Sequence, residues 1–173
     1  MLNLKLIAMK TLLLSLLLCF PVMAQTGFKT EGNNIIWQGV FSTENANILA
    51  VLDRDPNLKI SNFMDSMYKG QADDVQNTCN GGTGIMKNKI KFDFVILQDP
   101  AGYVVKVRNL RIIEKFGPMQ AKTIAKRCEK YFMDNGQLNT QPNAAENMAC
   151  MDSFFSNLFG IQPAVSNTSI TSN

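Results

Sequence analysis

The 173-residue chain contains no histidine, a single tryptophan and only four cysteines. The missing histidine excludes a Ser-His-Asp triad, a histidine general base and a histidine-ligated zinc or iron site. Charge of one sign is also lacking, since 17 Lys and Arg stand against 14 Asp and Glu, a formal +3. So small a balance gives no reason to expect nucleic acid or an anionic bilayer as partner. No CxxC spacing occurs, which removes the thioredoxin-like site and the zinc knuckle. The length suits one domain with one hydrophobic core, and no internal repeat is visible.

The N-terminus reads as a cleavable export signal over residues 1–24. Lys5 and Lys10 form its basic start, and Leu12 to Phe20 is apolar apart from Ser15. Pro21-Val22-Met23-Ala24 supplies a cleavage site before Gln25, and Met9 is an alternative start. The apolar run is shorter than the roughly 20 residues a spanning helix needs, so no transmembrane anchor is expected. Cys19 follows Leu18, where a lipidation site wants a small residue. Removing the signal takes away two lysines and leaves 15 basic against 14 acidic residues, a charge of +1. It also leaves Cys79, Cys128 and Cys150, an odd set in a compartment where disulfides form.

After a polar lead-in (25–33), Asn34–Phe41 (NIIWQGVF) has the β-branched and aromatic character of a strand. Thr43 then caps a short helix over residues 44–53 that Asp55-Pro56-Asn57 ends. Two weaker strands are expected within residues 58–75, the second broken by Gly70, and a Gly-rich turn at Asn80–Gly84.

The clearest pattern follows. Ile90, Phe92, Phe94 and Ile96 alternate with Lys89, Lys91, Asp93 and Val95, a half-buried antiparallel strand. Asp99-Pro100-Ala101-Gly102 is a type I turn, and Tyr103–Ile113 returns as the partner. Its apolar phase slips by one near Asn109, which predicts a β-bulge. Ala121, Ile124, Ala125, Cys128 and Phe132 then predict a helix from Gly117 to Gly136, with Lys122, Lys126 and Lys130 on another face. A second helix over 140–160 carries Ala144, Met148, Met151, Phe155 and Leu158. Residues 163–173 have no pattern and read as a disordered tail.

Cys128 and Cys150 each lie 11 residues from Asn139. In an antiparallel helix pair they come opposite each other, so a Cys128–Cys150 disulfide is one expectation. The other is that both are small buried hydrophobes, with Cys79 as the leftover thiol or the true partner of one of them.

Other constellations weaken on spacing. Asp53-Arg54-Asp55-Pro56-Asn57 opens like a calcium loop, but Leu58 stands where Gly is needed and Met64 where Glu is needed. Asn80–Lys87 lacks the phosphate-loop spacing. Asp73 and Asp74 adjoin, and on a strand would point to opposite faces. Asp93, Asp99 and Glu114 are the carboxylates on which a histidine-free hydrolase would have to be built.

The aromatic strand Ile35–Phe41, the short helix after it and KFDFVILQDPAGYVVKVRNLRI (Lys91–Ile112) together resemble one family. This is the secreted domain of unknown function with a TATA-binding-protein-like fold found in exported Bacteroidota proteins. The likeness covers residues 34–135 and departs in the short first helix, the extra Gly-rich loop and the added C-terminal helix with its cysteines. It implies an α+β fold, helices on one face of an antiparallel sheet, and no catalytic residues.

The sequence thus predicts a single α+β domain over residues 34–162. Its antiparallel sheet has four to five strands with helices on one face, and a C-terminal helical hairpin follows. The expected function is a non-catalytic exported module binding a protein or a small apolar ligand. A carboxylate or Ser/Thr hydrolase and a self-associating homodimer are the alternatives, and no cofactor, metal or nucleic acid is expected.

Overall fold

The computed structural model describes residues 26–161; the expected signal (1–24) and tail (163–173) lie outside the described residues. In chain order the elements are β1 (Phe28–Glu31), β2 (Asn34–Phe41), α1 (Ile48–Leu52), β3 (Leu58–Met64) and β4 (Met67–Gln76). They continue with β5 (Lys89–Asp99), β6 (Gly102–Phe116), β7 (Lys122–Arg127) and α2 (Glu129–Phe132). A short pair, β8 (Met133–Asp134) and β9 (Gln137–Leu138), leads into α3 (Pro142–Phe159).

The architecture is α+β, but the main sheet has seven strands instead of four to five. All pairings are antiparallel, in the order β1-β2-β6-β5-β4-β3. Strand β6 is 15 residues long, so one edge accommodates two partners. Tyr103–Val107 pairs with β2 and Arg111–Phe116 with β7, while β5 fills the other edge.

The β5–β6 hairpin forms as the alternation requires. Asp99 Oδ1 accepts the N–H groups of Ala101 and Gly102 at 2.8 and 2.9 Å, which closes the turn. The register shifts between Lys91 and Asp93, and Asn109 takes φ +50°, the left-handed conformation Asn tolerates better than most residues. That is the expected bulge. It returns Leu110 and Ile112 to the face already occupied by Val105 and Val107.

Three expectations are corrected. The lead-in contains β1, whose backbone pairs with Asn34–Trp37. The first helix starts at Ile48, and its N-cap is Asn47, whose Oδ1 accepts the Ala50 N–H at 3.1 Å. The helix over 117–136 is absent. Residues 122–127 are a strand that satisfies the backbone of β6, followed by the single turn α2. Hence there is no C-terminal helical hairpin, and the three lysines share no helix face: Lys122 and Lys126 are on β7, Lys130 on α2.

Helix α3 forms as expected and covers one sheet face. Its Phe155 and Phe159 are fully buried against Trp37, Phe92 and Phe94. Two polar contacts fix the docking. The Trp37 indole N–H donates to Asp152 Oδ1 at 2.6 Å, and the Tyr103 hydroxyl donates to the Phe159 carbonyl at 2.6 Å.

Gly70 does not break β4. It makes room for Phe94, because a Cβ there would stand 2.2 Å from the Phe94 ring and 2.5 Å from the Lys59 carbonyl oxygen. Gly70→Ala is therefore expected to lower stability by about 1–3 kcal/mol in urea unfolding. An unchanged midpoint would contradict the close approach.

Candidate functional site

The face of the sheet opposite α3 carries no covering element among the described residues, and the strand register orders its side chains into rows. One row is wholly apolar. Val40 stands opposite Val104, Val104 opposite Leu97, Leu97 opposite Met67, and Met67 opposite Met64. It crosses five strands, so it extends over about 19 Å at about 4.8 Å per strand. Val40, Leu97 and Met64 are 69%, 53% and 56% exposed, which is far above what a structural side chain in a sheet keeps.

The next row, two residues along each strand, is Gln38, Lys106, Val95, Lys69 and Asn62. The third is Arg108, Asp93, Gln71 and Lys59. Beyond it Lys91 stands opposite Arg111. Over β1 to β6 this face bears nine cations (Lys29, Lys59, Lys69, Lys89, Lys91, Lys106, Arg108, Arg111, Lys115) and four carboxylates (Glu31, Asp73, Asp93, Asp99). Residues 26–161 hold 15 basic and 14 acidic residues in all. The excess of five on this face is therefore a local asymmetry, offset by net negative charge elsewhere.

Two of the cations are engaged. Lys106 pairs with Glu31, whose carboxyl is held below its ordinary range chiefly by that hydrogen bond. Lys91 pairs with Asp73 at 3.0 Å. Lys69, Arg108 and Arg111 form no ion pair among the described residues. Gln38, Met67, Val95, Leu97, Val104, Lys106 and Arg108 together line a groove of about 340 Å³.

The carboxylates singled out for hydrolysis are not brought together. Asp93 is on the open face, bonded by Asn109 Nδ2 at 2.5 Å. Asp99 is committed to its turn, six residues along the strand. Glu114 lies on the opposite face, held by Lys126 and the Tyr131 hydroxyl, which lower its pKa. Asp55 is occupied by Asn57, whose N–H and Nδ2 both donate to its Oδ1, so the calcium-like segment is a turn. Among the described residues no cluster of three potential metal ligands occurs.

A cavity of about 510 Å³ lies on the covered side, lined by Arg54, Asp55, Gln76, Thr78, Phe154, Asn157 and Leu158. Its cation is already used, since Arg54 Nη1 donates to the Gly160 carbonyl at 2.7 Å.

The disulfide expectation is also corrected. Cys79 pairs with Cys150, with Cα atoms 5.4 Å apart, and Cys128 is free and buried. The equidistance of Cys128 and Cys150 required a helix pair, and β7 replaces its first arm. Cys150 instead faces the Gly-rich loop, which Asn147 also anchors by accepting the Thr83 N–H at 2.7 Å. Burial pushes the Cys128 thiol well above its ordinary range, so it is a packing group.

Glu129 joins the α2 turn to the sheet. Burial opposes its ionisation, but Arg127 and the Ile35 N–H, both at 3.1 Å from Oε1, outweigh that and keep its pKa lowered. A depressed carboxyl stabilises the fold above its unfolded pKa, and that contribution is lost as pH falls through the folded value. Stability in urea should therefore decline as pH falls below the ordinary carboxylate range, and less steeply in Glu129→Gln. Identical declines would contradict this role.

No protein-family model matches the chain, and no curated protein matches it. Two solved structures are similar to it. A TBP-like protein from Parabacteroides distasonis is 14% identical with a TM-score of 0.48, over 76% of this chain and 94% of that one. A DUF4468 family protein from Bacteroides ovatus is 10% identical with a TM-score of 0.42, over 77% of this chain and 86% of that one.

The open-face row is the feature that sequence reasoning missed. Its signal was present in the apolar residues out of phase with the core, Val95, Leu97 and Val104, on strands whose other positions on that side are charged or polar.

Proposed function

We propose that this protein is an exported, non-catalytic binding module that holds another protein against its open sheet face. The observation that carries the reading is the exposed five-strand row from Val40 to Met64. A contiguous apolar band beside polar rows is what interaction surfaces present, and solvent alone gives no reason to keep it. Export is supported by the signal-like N-terminus and by a Cys79–Cys150 disulfide, a bond that persists in oxidising compartments. No helix among the described residues is long and apolar enough to cross a membrane.

The test is a photo-crosslinking amino acid placed at position 97 and, separately, at position 49 on α1, in cells producing the full chain. Leu97 and Leu49 are similarly exposed, at 53% and 50%, so exposure does not bias the comparison. A discrete adduct at position 97 and none at position 49 is expected. Equal adducts at both, or none at either, would overturn the proposal.

A further inference from the structure

Resting on that reading, we infer the chemistry of the partner: an acidic protein segment that carries apolar side chains along one edge. Its apolar edge lies on Val40, Val104, Leu97 and Met67, and its carboxylates reach Lys69 and Arg108, which form no ion pair among the described residues. These cations stand two to four residues along the strands from the apolar row, about 7–13 Å. Glu and Asp side chains flanking a bound apolar edge span that distance. Charges interspersed beside an apolar strip set orientation and partner choice more than they set affinity.

Other occupants fit less well. A second copy docked face to face would bring two sets of nine cations together, each set against only four carboxylates. The chain's own segments outside the described residues do not complement the face, because residues 1–25 and 162–173 contain no Asp or Glu. Nucleic acid would find cations but no stacking platform, since this face of the described strands carries no aromatic ring; Phe63 and Tyr68 pack on each other, tilted by 40°, on the reverse side. A small amphiphile seated in the groove would leave the two ends of the apolar row uncovered, because Val40 and Met64 lie outside its lining.

Fluorescence anisotropy of the full chain with four probes tests the inference. These are a labelled amphipathic Glu/Leu peptide, its Lys/Leu counterpart, an uncharged Ser/Leu peptide and a single-stranded oligodeoxythymidine. Phosphatidylglycerol vesicles form a fifth arm, followed by co-sedimentation. The Glu/Leu peptide is expected to bind best, and to weaken with added salt. Leu97→Glu and Lys69→Glu are each expected to weaken it by about tenfold or more. Both positions are exposed, so an unchanged melting temperature separates lost binding from lost folding.

Equal binding of the Ser/Leu peptide, weakened by Leu97→Glu, would overturn the acidic requirement and leave the docking face standing. Binding of the Glu/Leu peptide unaffected by either variant would overturn both the inference and the face. Failure of that peptide to bind, or tighter binding of the oligonucleotide or the vesicles, would overturn the inference.

Discussion

Phe155→Ala is expected to cost about 3–5 kcal/mol of folding stability. The side chain is fully buried at the centre of the α3–sheet contact. Ring centroids of Trp37 and Phe92 lie 5.2 Å away, and that of Phe154 lies 5.4 Å away. Truncation loses the transfer free energy of the ring, the edge-to-face contact with Phe92 and the packing of a cavity that a sheet on one side cannot close. Domains of this size are stable by only about 5–15 kcal/mol, so the variant should sit close to its unfolding threshold at room temperature. Urea unfolding followed by tryptophan fluorescence reads the effect directly, since Trp37 is the only tryptophan and packs on Phe155. A loss below about 1 kcal/mol would mean that α3 does not rest on this ring.

Removing the disulfide with Cys79→Ser and Cys150→Ser together is expected to cost roughly 4 kcal/mol. That figure follows from the chain entropy of a closed loop with a sequence separation of 71. In thermal unfolding it corresponds to a fall of roughly 10 °C or more. The bond fastens the Gly-rich loop to α3, so the loop around Gly81 and Gly82 should also become the first region to exchange its amides. Cys128→Ser is the informative contrast. It should leave the thermal effect of reductant intact, because Cys128 takes no part in the bond. Loss of that effect in Cys128→Ser would contradict the pairing.

The sequence was most legible where one side of a strand is buried. The alternation in Ile90–Ile96, the Asp99–Gly102 turn and the phase slip at Asn109 each have a local physical cause, and each appears where that cause acts. Residues 117–136 misled because Ala121, Ile124, Ala125, Cys128 and Phe132 happen to fall at helical spacing. Only Cys128 and Phe132 are buried, and Ile124 is exposed on β7. What decides that segment is the unpaired edge of the long β6, a tertiary demand with no local trace. The cysteine pairing failed for the same reason, since it was inferred from that helix. β1 was missed because only Phe28 of its four residues is buried.

The candidate site was legible in parts but not as a whole. Val40, Val104, Leu97, Met67 and Met64 come from five strands, and a single sequence does not show which strands are neighbours. Once the order β2-β6-β5-β4-β3 is known, they line up without further assumption. The same holds for charge. An overall value of +3 says little, whereas the register places nine cations on one face.

Methyl NMR of the folded protein, titrated with the acidic amphipathic peptide, tests most directly whether the open face is where this protein binds. The methyl groups of Val40, Met64, Leu97 and Val104 should shift together and saturate at one affinity. Those of Leu49 on α1 and of Leu158, which lines the Arg54 cavity on the covered side, should stay in place. Shifts centred on Leu158, with the four open-face residues unmoved, would contradict the account.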